Sequence, residues 1–185
     1  MNTVVTSREA ILQVCRALVS EQGLSALNMR EVARRCQVAL GSLYNYFPSK
    51  NDLTLAVIES VWRDIFAAMP LKNTSLTLPD YTAALFAAVR AGMHTYPHFF
   101  TAHSVSVAND NKGPARALMG RYLAAIQAGM AEALAQDAAV NPAAFGPSFT
   151  RDDFLGYVRE SLLMLLMQQR PDCAVLVEMI RRAIY

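Results

Sequence analysis

Cysteine is scarce in this chain of 185 residues: Cys15, Cys36 and Cys173 are widely spaced and odd in number. That argues against a disulfide-stapled framework and fits a reducing compartment. Charge is thin as well, with 17% Asp, Glu, Lys and Arg and a formal net charge of +2. There is no basic tail to hold nucleic acid by bulk electrostatics, so any DNA footprint must be a local arrangement of a few cations. Long apolar runs are missing: Leu162 to Met167 is far below the ~20 residues that cross a bilayer. The start, Met1-Asn2-Thr3-Val4-Val5-Thr6, lacks the apolar core of a signal peptide. The expectation is a cytoplasmic protein with no membrane partner. Gly and Pro number 8 each and alternating β-branched runs are scarce, which leaves an all-α fold.

Hydrophobic residues make up 54% of the chain, enough for a sizeable ordered core. Helix starts are legible from their caps. Thr6-Ser7-Arg8-Glu9 has capping-box spacing with Thr6 as cap, and Ile11, Cys15, Leu18 and Val19 then share one face up to Gly23. Asn28-Met29-Arg30-Glu31 repeats the logic for a helix ending at Cys36, with Val32, Ala33 and Cys36 inward. Ser49-Lys50-Asn51-Asp52 opens a fourth helix whose buried stripe is Leu53, Val57, Val61 and Ile65. The stretch from Pro70 to Pro79 reads as a loop, dividing a head, residues 1–68, from a body, residues 69–185. Body helices are expected near 80–94, 96–107, 114–137, 151–169 and 172–184, about nine helices in all.

The segment Gly41-Ser42-Leu43-Tyr44-Asn45-Tyr46-Phe47 is a short aromatic helix. It follows the Met29–Cys36 helix across a tight Gln37-Val38-Ala39 turn and precedes Pro48-Ser49-Lys50. This is the layout of a helix-turn-helix, whose second helix enters the DNA major groove. Leu43 and Phe47, four apart and apolar, anchor the short helix inward. Ser42, Tyr44, Asn45 and Tyr46 are left on accessible faces. Asn45 can pair bidentately with adenine, Ser42 can donate or accept, and tyrosine hydroxyls can bond phosphates. Gly41 lets the backbone come close to the groove wall, and Lys50 sits in a helix first turn that suits a phosphate. Core packing explains Phe47, but two tyrosines and an asparagine on so short a helix are hard to bury without unpaired polar groups.

The aromatic helix, the Pro-Ser-Lys step and the amphipathic helix after it resemble the DNA-binding head of TetR-family repressors, over roughly residues 6–66. The resemblance implies a three-helix DNA-binding head on a larger helical-bundle body. Residue by residue, it implies that Arg30 reaches DNA from the second helix, and that Leu40, Gly41, Ser42, Tyr44 and Asn45 face the groove. Tyr46 and Lys50 then grip phosphates. It also implies a dimer on an inverted-repeat operator in double-stranded DNA, released by a small-molecule effector. Two departures stand in the turn. Gln37 occupies a position where glycine is common and would be unfavourable if φ is positive there, and Ala39 cannot cap the recognition helix. Met29 stands where a hydroxyl is common.

In the body, Phe154 to Val158 and Leu162 to Met167 make a helix apolar nearly all round, a sign of burial on two sides. Leu155, Val158, Leu162 and Leu166 are expected at a homodimer contact. A second cluster, Phe86, Met93, His94, His98, Phe99, His103, Met119, Tyr122 and Ile126, is expected to wall a pocket for an apolar ligand with one or two polar handles. The three histidines lack a Cys or paired carboxylate nearby, so no metal is expected. No Gly-rich phosphate loop, HExxH pair or nucleophile-base arrangement points to an enzyme or a cofactor. Three alternatives remain: a helical ligand-binding adaptor that has lost DNA binding, a thiol sensor at Cys36 and, behind them, an enzyme of unknown reaction.

Overall fold

The computed structural model describes residues 7–67, 76–99 and 114–185, apart from the side chains of 114–116. These contain eight α-helices: α1 Arg8–Gln22, α2 Met29–Arg35, α3 Leu40–Tyr46, α4 Lys50–Ala67, α5 Leu78–Thr95, α6 Pro114–Gln136, α7 Arg151–Met167 and α8 Ala174–Ile184. Short 3₁₀ turns lie at Leu24–Ala26 and Pro142–Ala144. No strand occurs among the described residues, only an isolated bridge between Gly146 and Phe149. The fold is all-α as expected; of the helix expected near 96–107 only residues 96–99 are among those described.

The caps are where the sequence put them, with one shift. Asn28 accepts from Glu31 N at 2.8 Å and Ser49 Oγ from Asp52 N at 3.1 Å. At α1 the cap is Ser7, not Thr6: its Oγ accepts from Ala10 N at 3.1 Å. Glu9, whose spacing suggested a capping box, instead pairs with Arg16 and Arg63. A long-range ion pair has taken the carboxylate that a local rule assigned to the backbone.

The chain forms two compact units, and these do not follow a single cut near residue 68. One unit comprises Met1–Ile65 with Gly92–Leu118, the other Phe66–Ala91 with Met119–Tyr185. The end of α5 belongs to the first unit for a packing reason. A Cβ on Gly92 would lie 2.5 Å from Ile65 Cγ1, so only glycine allows this approach. Tyr96 donates its hydroxyl to Asp64 at 2.7 Å, and Ser20 Oγ donates to the Thr95 carbonyl at 2.6 Å. Trp62 and Phe99 meet edge to face at 5.9 Å. Burial of Ile11, Cys15, Leu18 and Val19 from α1, Val32 from α2, Leu43 from α3, and Leu53, Val57 and Val61 from α4 builds this core. Each such side chain contributes on the order of 1.5–3 kcal/mol relative to exposure.

In the second unit, Tyr81, Leu85 and Phe86 of α5 share a core with Met130 and Leu134 of α6 and with Leu155, Val158 and Leu162 of α7. Helix α8 adds Leu176, Ile180 and Ile184, spaced four apart on one face. The C-terminus is tied down: Asn141 N donates to the Ile184 carbonyl at 2.8 Å and the Tyr185 hydroxyl to Asp137.

Candidate nucleic-acid interface

Helix α2 ends in a Schellman turn. Gln37 N donates to Arg34 O at 3.2 Å and Val38 N to Ala33 O at 3.0 Å. That closure requires a left-handed residue after the cap, and Gln37 supplies it with φ 57°. Helix α3 then opens at Ala39, whose backbone is extended (φ −64°, ψ 144°) and whose side chain makes no cap bond. Both departures noted in the turn are therefore structural facts of this chain. Met29 is buried, so its side chain serves the core instead of a phosphate.

Leu43 and Phe47 are 0% and 1% exposed and pin α3 inward. Their burial leaves Gly41, Ser42, Tyr44, Asn45 and Tyr46 exposed, with Tyr44 at 46% and Tyr46 at 37%, while Leu40 is half-buried. Arg30 on α2 and Lys50 at the start of α4 are exposed too. All eight residues expected to touch DNA thus lie in the first unit, on α2, α3 and the first turn of α4, and none is fully buried.

Electrostatics select among the cations. Through Asp52 the chain holds six basic residues, Arg8, Arg16, Arg30, Arg34, Arg35 and Lys50. Three are engaged. Arg16 meets Glu9 and the hydroxyl of the buried Ser60. Arg34 makes two bonds to Glu31, at 2.8 and 2.6 Å. Arg35 bridges Glu31 at 2.9 Å and Glu21 at 2.8 Å. Hydrogen bonds from Arg34 and Arg35 hold the Glu31 carboxyl down at about 2. The fourth acid, Asp52, accepts from the Ser49 hydroxyl at 2.7 Å at the head of α4. Among the described residues Arg8, Arg30 and Lys50 have no carboxylate partner. Arg8 was not singled out from sequence: its guanidinium lies over the Phe47 ring, 5.0 Å from the centroid. Counting charges could not show which were already paired.

The body residues fared differently. Leu155 and Val158 are 1% exposed, Leu162 1% and Leu166 7%, all within the unit's own core. Within this chain these four face the unit's own core. The exposed apolar residues of α7 and α8 are Tyr157, Met164, Met167, Val175 and Met179. A helix apolar on every side shows no periodicity that says which side faces its own core.

The nine residues expected to wall a pocket are not gathered in one unit. Phe86, Met119, Tyr122 and Ile126 belong to the second, where Tyr122 stacks on Phe66 at 5.4 Å. Met93, His94, His98 and Phe99 belong to the first. His94 and His98 are exposed, and the His98 side chain starts so close to Gly23 that a Cβ there would lie 2.9 Å from His98 Cβ. His103 is outside the described residues. No group of three or more His, Cys, Asp or Glu among the described residues could hold a metal. Burial pushes the Cys15 thiol up to about 12 and raises Cys36 and Cys173, which disfavours reactive thiolates.

The sequence profile of bacterial regulatory proteins of the tetR family matches residues 11–57, which run from α1 through α2, the turn and α3 into the first half of α4. Over residues 11–57, then, the chain resembles the tetR-family head. The transcriptional repressor KstR of Rhodococcus jostii is 38% identical over 85 residues, 42% of this chain and 40% of that protein. The nucleoid occlusion factor SlmA of Haemophilus ducreyi is 30% identical over 122 residues, 65% of this chain and 54% of that protein. The matched segments thus span at most about half of these two curated relatives. The likeness in fold extends further than the sequence match. The crystal structure of the multidrug binding protein EbrR complexed with proflavin superposes with a TM-score of 0.58 at 21% identity, covering 96% of this chain and 99% of that one. No helix among the described residues is long and apolar enough to cross a membrane.

Proposed function

We propose that this chain is a TetR-family regulator that binds double-stranded DNA through α3 and represses transcription from an inverted-repeat operator. The observation that carries the reading is the division of labour on one seven-residue helix. Leu43 is fully buried, whereas Ser42, Tyr44 and Asn45 stand exposed between the unpaired cations Arg30 and Lys50. Groove-reading residues and phosphate-gripping cations are the two parts a recognition helix needs. Substituting Lys50 by Ala is expected to weaken binding to all duplexes alike. Substituting Asn45 by Ala is expected to change sequence preference by about 1–3 kcal/mol at one base pair. The opposite pattern would show that the two roles are exchanged, and no effect from either would remove α3 from the interface.

A homodimer is part of the proposal, through the outward faces of α7 and α8. Tyr157, Met164, Met167, Val175 and Met179 are 52–74% exposed, the kind of apolar face that a second copy covers. A shallow groove of about 440 Å³ between Ala174, Val175, Glu178, Met179 and Arg182 adds relief to it. Two recognition helices one DNA turn apart, roughly 34 Å, would then read the two half-sites. Sedimentation should give a dimer, and charged substitutions at Met164 and Met179 should give a folded monomer.

Release by a small, largely apolar ligand completes the reading. It is supported by the apolar and aromatic content of the second unit, where Phe86, Tyr122 and Ile126 accompany Phe66. The ligand must prefer one DNA-binding state over the other to act at all. A compound that binds the protein and leaves operator affinity unchanged is not its effector.

A further inference from the structure

Arg8 is the first residue of α1, 32 positions before the recognition helix, yet the fold brings its guanidinium over the face of Phe47 at 5.0 Å. Phe47 is the C-cap of α3, and its flanking residues Tyr46, Pro48, Ser49 and Lys50 are all exposed. Phe47 itself is 1% exposed, so the arginine lies on the outside of a ring that faces the core. We propose that Arg8 is a phosphate anchor, held ready by Phe47 and acting with Lys50 on the DNA strand at the C-terminal end of α3. The proposal rests on α3 being the DNA-reading helix.

Three observations carry it. First, the charge is uncommitted: Glu9, the adjacent acid, goes to Arg16 and Arg63, and Asp52 goes to Ser49. Second, a guanidinium resting on an aromatic face keeps its in-plane N–H donors at the rim, and these suit a phosphate bidentately. Third, the ring restricts a long side chain that would otherwise lose rotamer freedom on binding, so the anchor is pre-organised. Arg34 and Arg35, closer to α3 in sequence, fail the first criterion because Glu31 and Glu21 hold them.

The test is the salt dependence of binding to a labelled 30-base-pair duplex of mixed sequence. That probe reports phosphate contacts without knowledge of an operator. Each phosphate contact contributes about 0.9 to the slope of log affinity against log salt. The variant R8M keeps an apolar cover on Phe47 and removes the charge; R8K keeps the charge. The slope should fall by about one per bound head in R8M and stay near the parent value in R8K. Arg170, exposed in the second unit, serves as the charge-loss control, and R170A should leave the slope unaltered. Matching slopes for the parent and a folded R8M would overturn the role of Arg8 alone. A parent protein with no salt-dependent duplex binding would overturn the DNA reading of α3, and Arg8's role with it.

Discussion

Arg35 donates from Nε to Glu31 Oε1 at 2.9 Å, one helical turn back along α2. Arg34 donates to the same carboxylate, and together they hold it down at about 2, against an ordinary value near 4.5. The consequence is electrostatic economy: two cations beside the turn are spent on α2, leaving Arg8, Arg30 and Lys50 to face a partner.

A carboxyl whose folded value is depressed contributes stability above its unfolded value, and that contribution is lost as pH falls through the folded value. For Glu31 the window runs from about 4.5 down to about 2. Thermal midpoints of the parent and E31Q should differ by a constant amount above pH 5 and converge toward pH 2. E31Q also releases Arg34, while Arg35 keeps Glu21, so it should bind mixed-sequence duplex more tightly at low salt. Unchanged duplex binding would mean that Arg34 points away from the DNA.

The turn before α3 carries two local costs that substitution can remove. Gln37 holds φ 57° in the Schellman turn, where a side chain is disfavoured. Q37G should raise stability by up to about 1 kcal/mol, and A39S, which supplies the missing cap, by about 1 kcal/mol. In a protein of this size the two together correspond to a rise of roughly 4–8 °C in Tm. Calorimetry decides; a lower Tm for A39S would mean that a hydroxyl cannot reach the N–H groups of the first turn.

The Tyr81 hydroxyl is buried without a hydrogen-bond partner, and a Cβ on Gly129 would lie 2.0 Å from it. Removing an unsatisfied buried hydroxyl is neutral to stabilising by about 1 kcal/mol, so Y81F should not lower Tm. G129A should cost about 1–3 kcal/mol through overpacking, despite the better helix propensity of alanine. The pair should be non-additive, with Y81F relieving part of the G129A loss. Additive effects would show that the phenol moves aside freely.

Much of this fold is legible in the sequence because its signals are local. Asn28 and Ser49 cap where their side chains say they should, and Leu43 and Phe47 are inward because they are four apart on a short helix. What was not legible depends on distant partners. Glu9 left its capping role for Arg16 and Arg63, the end of α5 joined the first unit through Gly92 and Tyr96, and Arg8 found Phe47 across the head. The inward turn of Leu155, Val158, Leu162 and Leu166 was hidden because α7 is apolar on its other faces as well. The exposed face of α3 was the easier part: one buried stripe on seven residues determines what is left exposed.

The central claim is that α3 reads DNA in a two-fold arrangement, and selection of bound duplexes from a random library at moderate salt tests it most directly. The account predicts recovery of a short inverted repeat, whose binding weakens steeply with salt and whose preferred bases change in the Asn45→Ala variant. A folded, dimeric protein that enriches no sequence would contradict it and favour a helical adaptor that retains the fold without the operator.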